Sequence, residues 1–207
     1  MEFGLWVKIA RVNLRHNFLP CMLAALAVAL CTPVVFEISS LDRKLAAQPL
    51  EMLLSLSGAV LLTPVFLPEQ DENICDLVRS KKISYLSVCA LRAAYSAITL
   101  ALLIGGFTLL MRGCESAVTW EHFFGAFASA FFLGALGLLG ASISKNVTVG
   151  YMAAMIYYIM NFALKEKLGD FYLFSISAGD GGGKLFLTAA AVLLAATAFG
   201  WKSLKES

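Results

Sequence analysis

The chain has 207 residues, 59% of them hydrophobic and 14% charged, with a net charge of +2. Its mean hydropathy of +0.79 lies far above that of soluble domains, in which about a quarter of the residues are charged. A soluble fold of this size cannot hide several apolar runs that are each long enough to cross about 30 Å of hydrocarbon, and so small a net charge, with the bases at the ends of those runs, excludes a nucleic-acid groove.

At the N-terminus, Lys8, Arg11 and Arg15 fall on one helical face while Phe3, Trp6, Val7, Ala10 and Leu14 line the other. This pattern predicts an amphipathic helix over residues 1–17 lying in the membrane interface. The apolar stretch that follows, Phe18 to Ile38, is longer than a signal-peptide core, and Ser39 and Ser40 follow it without a cleavage-like site, so it is expected to remain attached.

Bilayer-length apolar runs occur at about 18–38, 50–67, 84–111, 123–143, 147–164 and 185–201. They lack the strict alternation of barrel strands, and backbone groups in lipid must be satisfied within each segment. The expected fold is therefore an all-α integral membrane protein of six transmembrane helices in a single domain, 1–207. With both termini in the cytosol, ten bases (Lys8, Arg11, Arg15, Arg79, Lys81, Lys82, Arg92, Lys145, Lys202 and Lys205) lie on the inner side and six (Arg43, Lys44, Arg112, Lys165, Lys167 and Lys184) on the outer. Basic residues resist translocation, which favours this orientation.

After the second run, Pro64 and Pro68 break the helix, and Glu69, Asp71, Glu72 and Asp76 precede Arg79, Lys81 and Lys82. Acids first and bases last suit a helix macrodipole, and Ile74, Leu77 and Val78 form a narrow apolar stripe. The segment 69–82 reads as a short cytosolic helix, the alternative being an ordinary charged loop that sets topology. In the third run Arg92 stands some ten residues from the start, and an arginine is costly in hydrocarbon, so it is placed at the inner interface.

Gly125, Ser129, Gly134, Gly137 and Gly140 in the fourth run permit close helix approach and are read as internal packing. Between the fifth and sixth runs, the apolar cluster Phe171, Tyr172, Leu173, Phe174 and Ile176 is too short to cross. Residues 165–183 are therefore expected to dip into the outer leaflet, with Gly179, Gly181, Gly182 and Gly183 as a flexible link.

No catalytic or cofactor constellation emerges. Gly179 to Lys184 is one residue short of a phosphate-binding loop and has no preceding strand. Asn146-Val147-Thr148 fits a glycosylation acceptor but falls in a tight turn. The five cysteines are scattered without metal-ligand spacing,. His16, His122, Glu37 and Glu51 are read as solvated boundary residues, which leaves no buried titratable cluster for intramembrane hydrolysis or proton-coupled transport.

The stretch TPVFLPEQDENICDLVRSKKISYLSVCALR, Thr63 to Arg92, set within six spans and an interfacial helix, resembles the permease subunits of type-2 ATP-binding-cassette transporters, most of them exporters. The likeness lies in a Glu ending span two (Glu69), a short charged helix, and a base early in span three (Arg92). Ser80-Lys81-Lys82-Ile83-Ser84 departs from it where the family commonly has a proline, and the outer loops are short.

The resemblance implies that residues 69–82 form a coupling helix that docks on a separate cytosolic ATP-binding subunit. Glu69, Asp71, Glu72, Asp76, Arg79 and Lys81 would supply polar contacts, and Ile74, Leu77 and Val78 would pack into the partner's cleft. It also implies a second permease copy or a related permease, lipid as surroundings, no nucleic-acid partner, and a multi-pass location in a bacterial cell membrane. No cofactor is expected on this chain, ATP and Mg being held by the partner. A six-span ligand-binding subunit of an energy-coupling-factor importer, and a non-transporting immunity or accessory protein, are the alternatives.

Overall fold

A computed structural model of the chain describes residues 18–70, 85–179 and 181–206, and most of the described residues are helical, with no strand among them. The predicted interfacial helix (1–17) and residues 71–82 of the predicted coupling helix lie outside the described residues. The α-helices are α1 (Leu19–Val35), α2 (Arg43–Gln48), α3 (Leu56–Leu62), α4 (Tyr85–Gly113), α5 (Trp120–Ser144), α6 (Val147–Leu164), α7 (Ser175–Ala178) and α8 (Lys184–Glu206). A π-helical turn (Pro49–Leu54) joins α2 to α3, and 3-10 segments follow α3 (Thr63–Gln70) and α6 (Lys165–Phe171).

Five helical segments are long and apolar enough to cross a membrane: the composite Arg43–Leu67, then Ser87–Gly113, Trp120–Ser144, Val147–Leu164 and Lys184–Leu204. The first predicted run forms the apolar 17-residue helix α1. Predicted and observed boundaries agree within a few residues except at the second run, which begins seven residues earlier, at Arg43, because α2 continues through the π turn without a break. Pro49, the seventh residue of this continuous segment, has no N–H to give to a carbonyl of α2, and the change to π geometry begins at that residue,.

The composite span and α5 form the centre. Two-thirds (67%) of the most apolar window of each is buried, against 28% for α4 and 22% for α6 and α8. Outward residues such as Leu102, Leu109, Ile156, Ile159, Leu185 and Leu193 remain exposed. A soluble protein does not present apolar faces on this scale, whereas lipid covers them at no cost. One core cluster joins α1, the composite span, α4 and α5 around Leu50, Leu54, Leu61, Leu100 and Ile104. A second joins α5, α8 and the segment after α6 around Leu133, Leu173, Phe174 and Leu187.

Small residues set how closely the centre packs. A Cβ on Gly58 would overlap the Ala130 backbone, and one on Gly134 would lie 2.6 Å from the Gly58 carbonyl oxygen. Glycines therefore face each other across the α3–α5 crossing, and dispersion between the two backbones replaces the hydrophobic drive that is absent in lipid. The predicted small-residue positions of α5 pack inside the chain: Gly125 against Ile176, Gly137 against Thr63, Gly140 against Gly150, and Ser129 against Leu173.

The connecting segments meet at one end of the bundle. Residues 36–42 run beside 114–118, with Ser116 Oγ donating to the Ile38 carbonyl at 2.7 Å, Ser40 N–H to Cys114 O at 3.0 Å and Ala117 N–H to Leu41 O at 2.9 Å. At the other end, Lys145 takes a left-handed φ of 57° to end α5. Asn146 then caps α6 through Oδ1, which accepts from Thr148 N–H at 2.8 Å, so this asparagine has a structural task in the turn.

Because the obstacle at Gly58 is backbone and cannot rotate away, Gly58→Leu is expected to cost about 3 kcal/mol, the upper part of the overpacking range. In detergent it should lower Tm and broaden the size-exclusion peak. Gly200→Leu, whose Cβ meets nothing within 4 Å, should do neither.

Candidate functional site

The segment between α6 and α8 is irregular, so its peptide groups need partners from outside the segment. Side chains of the spans supply them. Asn161 of α6 accepts from Leu173 N–H through Oδ1 at 2.8 Å, with its own amide fixed on the Tyr157 carbonyl at 2.8 Å. Ser129 of α5 donates to Leu173 O at 2.8 Å, and Tyr157 donates through its hydroxyl to Phe171 O at 2.6 Å.

The centre of this arrangement is an ion pair between Glu51, in the π turn, and Lys184, which opens α8. Lys184 Nζ lies 2.6 Å from Glu51 Oε1, and the two side chains are 10% and 0% exposed. The ammonium also donates to Ser129 Oγ at 2.7 Å and to Leu173 O at 2.5 Å, so its three donors meet three acceptors. Glu51 accepts further from Ile176 N–H at 3.2 Å and Ser177 N–H at 2.9 Å.

Four elements thus converge on one pair of charges. The π turn widens the helix by one residue and directs Glu51 inward, and such single turns recur at functional sites in helices. Gly125 leaves room beside the pair, since a Cβ there would lie 3.3 Å from Lys184 Cε and overlap Ile176. Phe174, 1% exposed, then fills the space among Tyr158, Phe162 and Tyr172, with ring centroids at 5.8, 4.9 and 5.7 Å. Tyr158 itself donates to the Met52 carbonyl, which ties α6 to the same turn.

The sequence reading of Glu51 as a solvated boundary residue is corrected by this burial. His122 is corrected likewise: it stands at the start of α5 but is 1% exposed. Its Nδ1 accepts from Thr119 N–H at 3.2 Å, so Nε2 carries the proton and donates to Arg43 O at 2.7 Å. Arg43 also pairs with Glu121, which fastens the start of α2 to the start of α5. Glu37 is exposed, as expected.

Among the predicted docking residues, Asp71, Glu72, Ile74, Asp76, Leu77, Val78, Arg79 and Lys81 lie outside the described residues, and Glu69 falls in the 3-10 turn Thr63–Gln70. Arg92, placed by its sequence position at a membrane interface, is buried at 5% exposure. Its Nη1 donates to Val65 O at 3.3 Å, at the carbonyl end of the composite span, where a cation complements the helix dipole.

The Glu51–Lys184 cluster is chemically saturated. Every ammonium donor and both carboxylate oxygens are engaged within the chain, which suits a latch better than a nucleophile or a vacant ligand site. What it latches is the Phe171–Ser177 backbone against α5, α6 and the composite span. The signal available in the sequence was a pair of opposite charges, each within a few residues of a predicted span end and separated by a segment whose backbone needed partners.

Removing one partner leaves an uncompensated buried charge, so Glu51→Gln and Lys184→Met are each expected to cost about 3–5 kcal/mol. Combining them should recover more than half of that loss in a thermal-unfolding double-mutant cycle. Trypsin cleavage after Lys165 and Lys167 should accelerate in either single variant, because the segment is released. No protein-family profile, no curated protein and no solved structure matches this chain.

Proposed function

We propose that this chain is the transmembrane permease subunit of an ATP-binding-cassette exporter, which forms a translocation path and is driven by ATP hydrolysis on a separate cytosolic subunit. In this reading α1 is a sixth crossing: its 17 residues rise about 26 Å at 1.5 Å each, close to the hydrocarbon thickness. Both termini face the cytosol, the end carrying Asn146 is cytosolic, and the segment after α6 enters the outer leaflet.

The observation that carries the proposal is how the charged segment 69–82 is bracketed. It emerges from the composite span where the helix tightens into the 3-10 turn Thr63–Gln70, and the chain returns in α4, whose Arg92 holds the Val65 carbonyl. A force applied to the segment therefore reaches the central span and α4 together. That is the mechanical requirement for a lever worked by a partner, and it accompanies the resemblance of Thr63–Arg92 to a coupling region.

Within the proposed cycle, movement of this lever would shift the composite span against α5. Their contact is made by glycines and backbone, a surface that slides as a rigid unit and has few side chains to repack. The Glu51–Lys184 latch would keep the outer segment closed until that shift occurs.

Replacing Ile74, Leu77 and Val78 together with Asp is expected to abolish stimulation of the partner's ATPase and copurification of the complex while leaving membrane insertion intact. Full activity of a complex carrying the triple variant would refute the coupling assignment, as would nucleotide turnover by the purified chain alone. In a cysteine-free background, Ser40→Cys should react with an impermeant maleimide added outside intact cells, and Lys145→Cys should react only after permeabilisation.

A further inference from the structure

The flank of the molecule between α4 and α5 carries a groove that neither the ion-pair latch nor the proposed coupling region uses. Its volume is about 760 Å³, and its α4 wall is the stripe Ile98, Leu102, Gly105, Gly106 and Leu109. Phe123 and Trp120 of α5 face that wall. A Cβ on Gly106 would meet nothing within 4 Å, and one on Gly105 would meet only a Phe123 ring carbon at 3.5 Å. The paired glycines therefore hollow the wall where two ordinary apolar residues would have filled it.

One end of the groove is polar. Arg112, Thr108 and Thr119 line it there, beside Trp120, which is 70% exposed. Arg112 is exposed, and among the described residues no carboxylate pairs with it, Glu121 being held by Arg43. A tryptophan and an arginine at the end of an apolar span mark the depth of lipid headgroups. From Ile98 to Arg112 the stripe runs about 21 Å at 1.5 Å per residue, which is longer than one leaflet's share, about 15 Å, of the hydrocarbon core.

We propose that this groove holds a resident phospholipid with an anionic headgroup, its phosphate on the Arg112 guanidinium and an acyl chain lying over Gly105 and Gly106. Guanidinium presents a planar fork suited to phosphate oxygens, and the hollow at Gly105 and Gly106 gives an acyl chain room against the α4 wall. The proposal does not depend on the permease reading.

The test uses the full chain reconstituted in nanodiscs of phosphatidylcholine and phosphatidylglycerol, extracted into mild detergent and weighed intact by native mass spectrometry. One phosphatidylglycerol per chain should remain in preference to phosphatidylcholine. Gly106→Leu, which fills the hollow without touching the fold, and Arg112→Gln should each reduce that retention at least five-fold. Arg112→Lys should reduce it less than Arg112→Gln, and Lys167→Gln, which removes an exposed cation that does not line the groove, should leave it unchanged. Undiminished retention in both Gly106→Leu and Arg112→Gln would overturn the proposal. So would disulfide dimers of Gly106→Cys forming in the bilayer at the expense of bound lipid, which would assign the groove to a second copy of the chain.

Discussion

Away from water, an unpaired peptide group costs several kcal/mol, and the segment between α6 and α8 is where this chain meets that constraint with side chains. Elsewhere the helices satisfy their own backbone. Here Asn161, Ser129, Tyr157, Glu51 and Lys184 take up the N–H and C=O groups of Phe171, Leu173, Ile176 and Ser177. An irregular stretch is stable inside a helical bundle only because five side chains from the composite span, α5, α6 and α8 converge on it.

The ion pair is the costliest member of that set and the most informative. Taking two charges out of water is repaid only when geometry is good and the remaining hydrogen-bonding capacity is filled, and both conditions hold at Glu51 and Lys184. A buried pair of this kind is a weak source of net stability, since apolar residues of equal volume often serve as well. Its value lies in specificity: it fixes which turn of the composite span faces the start of α8.

The remainder of the bundle divides by the kind of surface it presents. The composite span and α5 approach through glycines, so their relation is set by backbone shape. The flanks of α4, α6 and α8 are left to lipid, and their exposed leucines and isoleucines are the ordinary outer surface of a membrane protein. The groove beside α4 departs from that surface because two adjacent glycines remove side chains at the depth where the wall would otherwise be continuous.

Much of this was legible in the residues. The apolar runs located the helices to within a few positions, because length and hydropathy alone decide whether a segment can lie in hydrocarbon. Asn146 and the glycines of α5 announced a turn and a close crossing, both of which are local properties. The extension of the second span back to Arg43 was hidden, since Arg43, Lys44 and Gln48 lower the hydropathy of a stretch that is nonetheless helical. The burial of Glu51, Lys184, His122 and Arg92 was hidden for a different reason. A charge near the end of a span reads as solvated unless its partner is known, and the partners lie 27 to 133 positions away: Val65 for Arg92, Arg43 for His122, and Lys184 for Glu51. Sequence by itself determined that the chain is helical and belongs in a bilayer, because burial of apolar length is a one-dimensional property. Which charges are paired inside it was decided only by tertiary structure, because pairing depends on distances between segments that hydropathy does not encode.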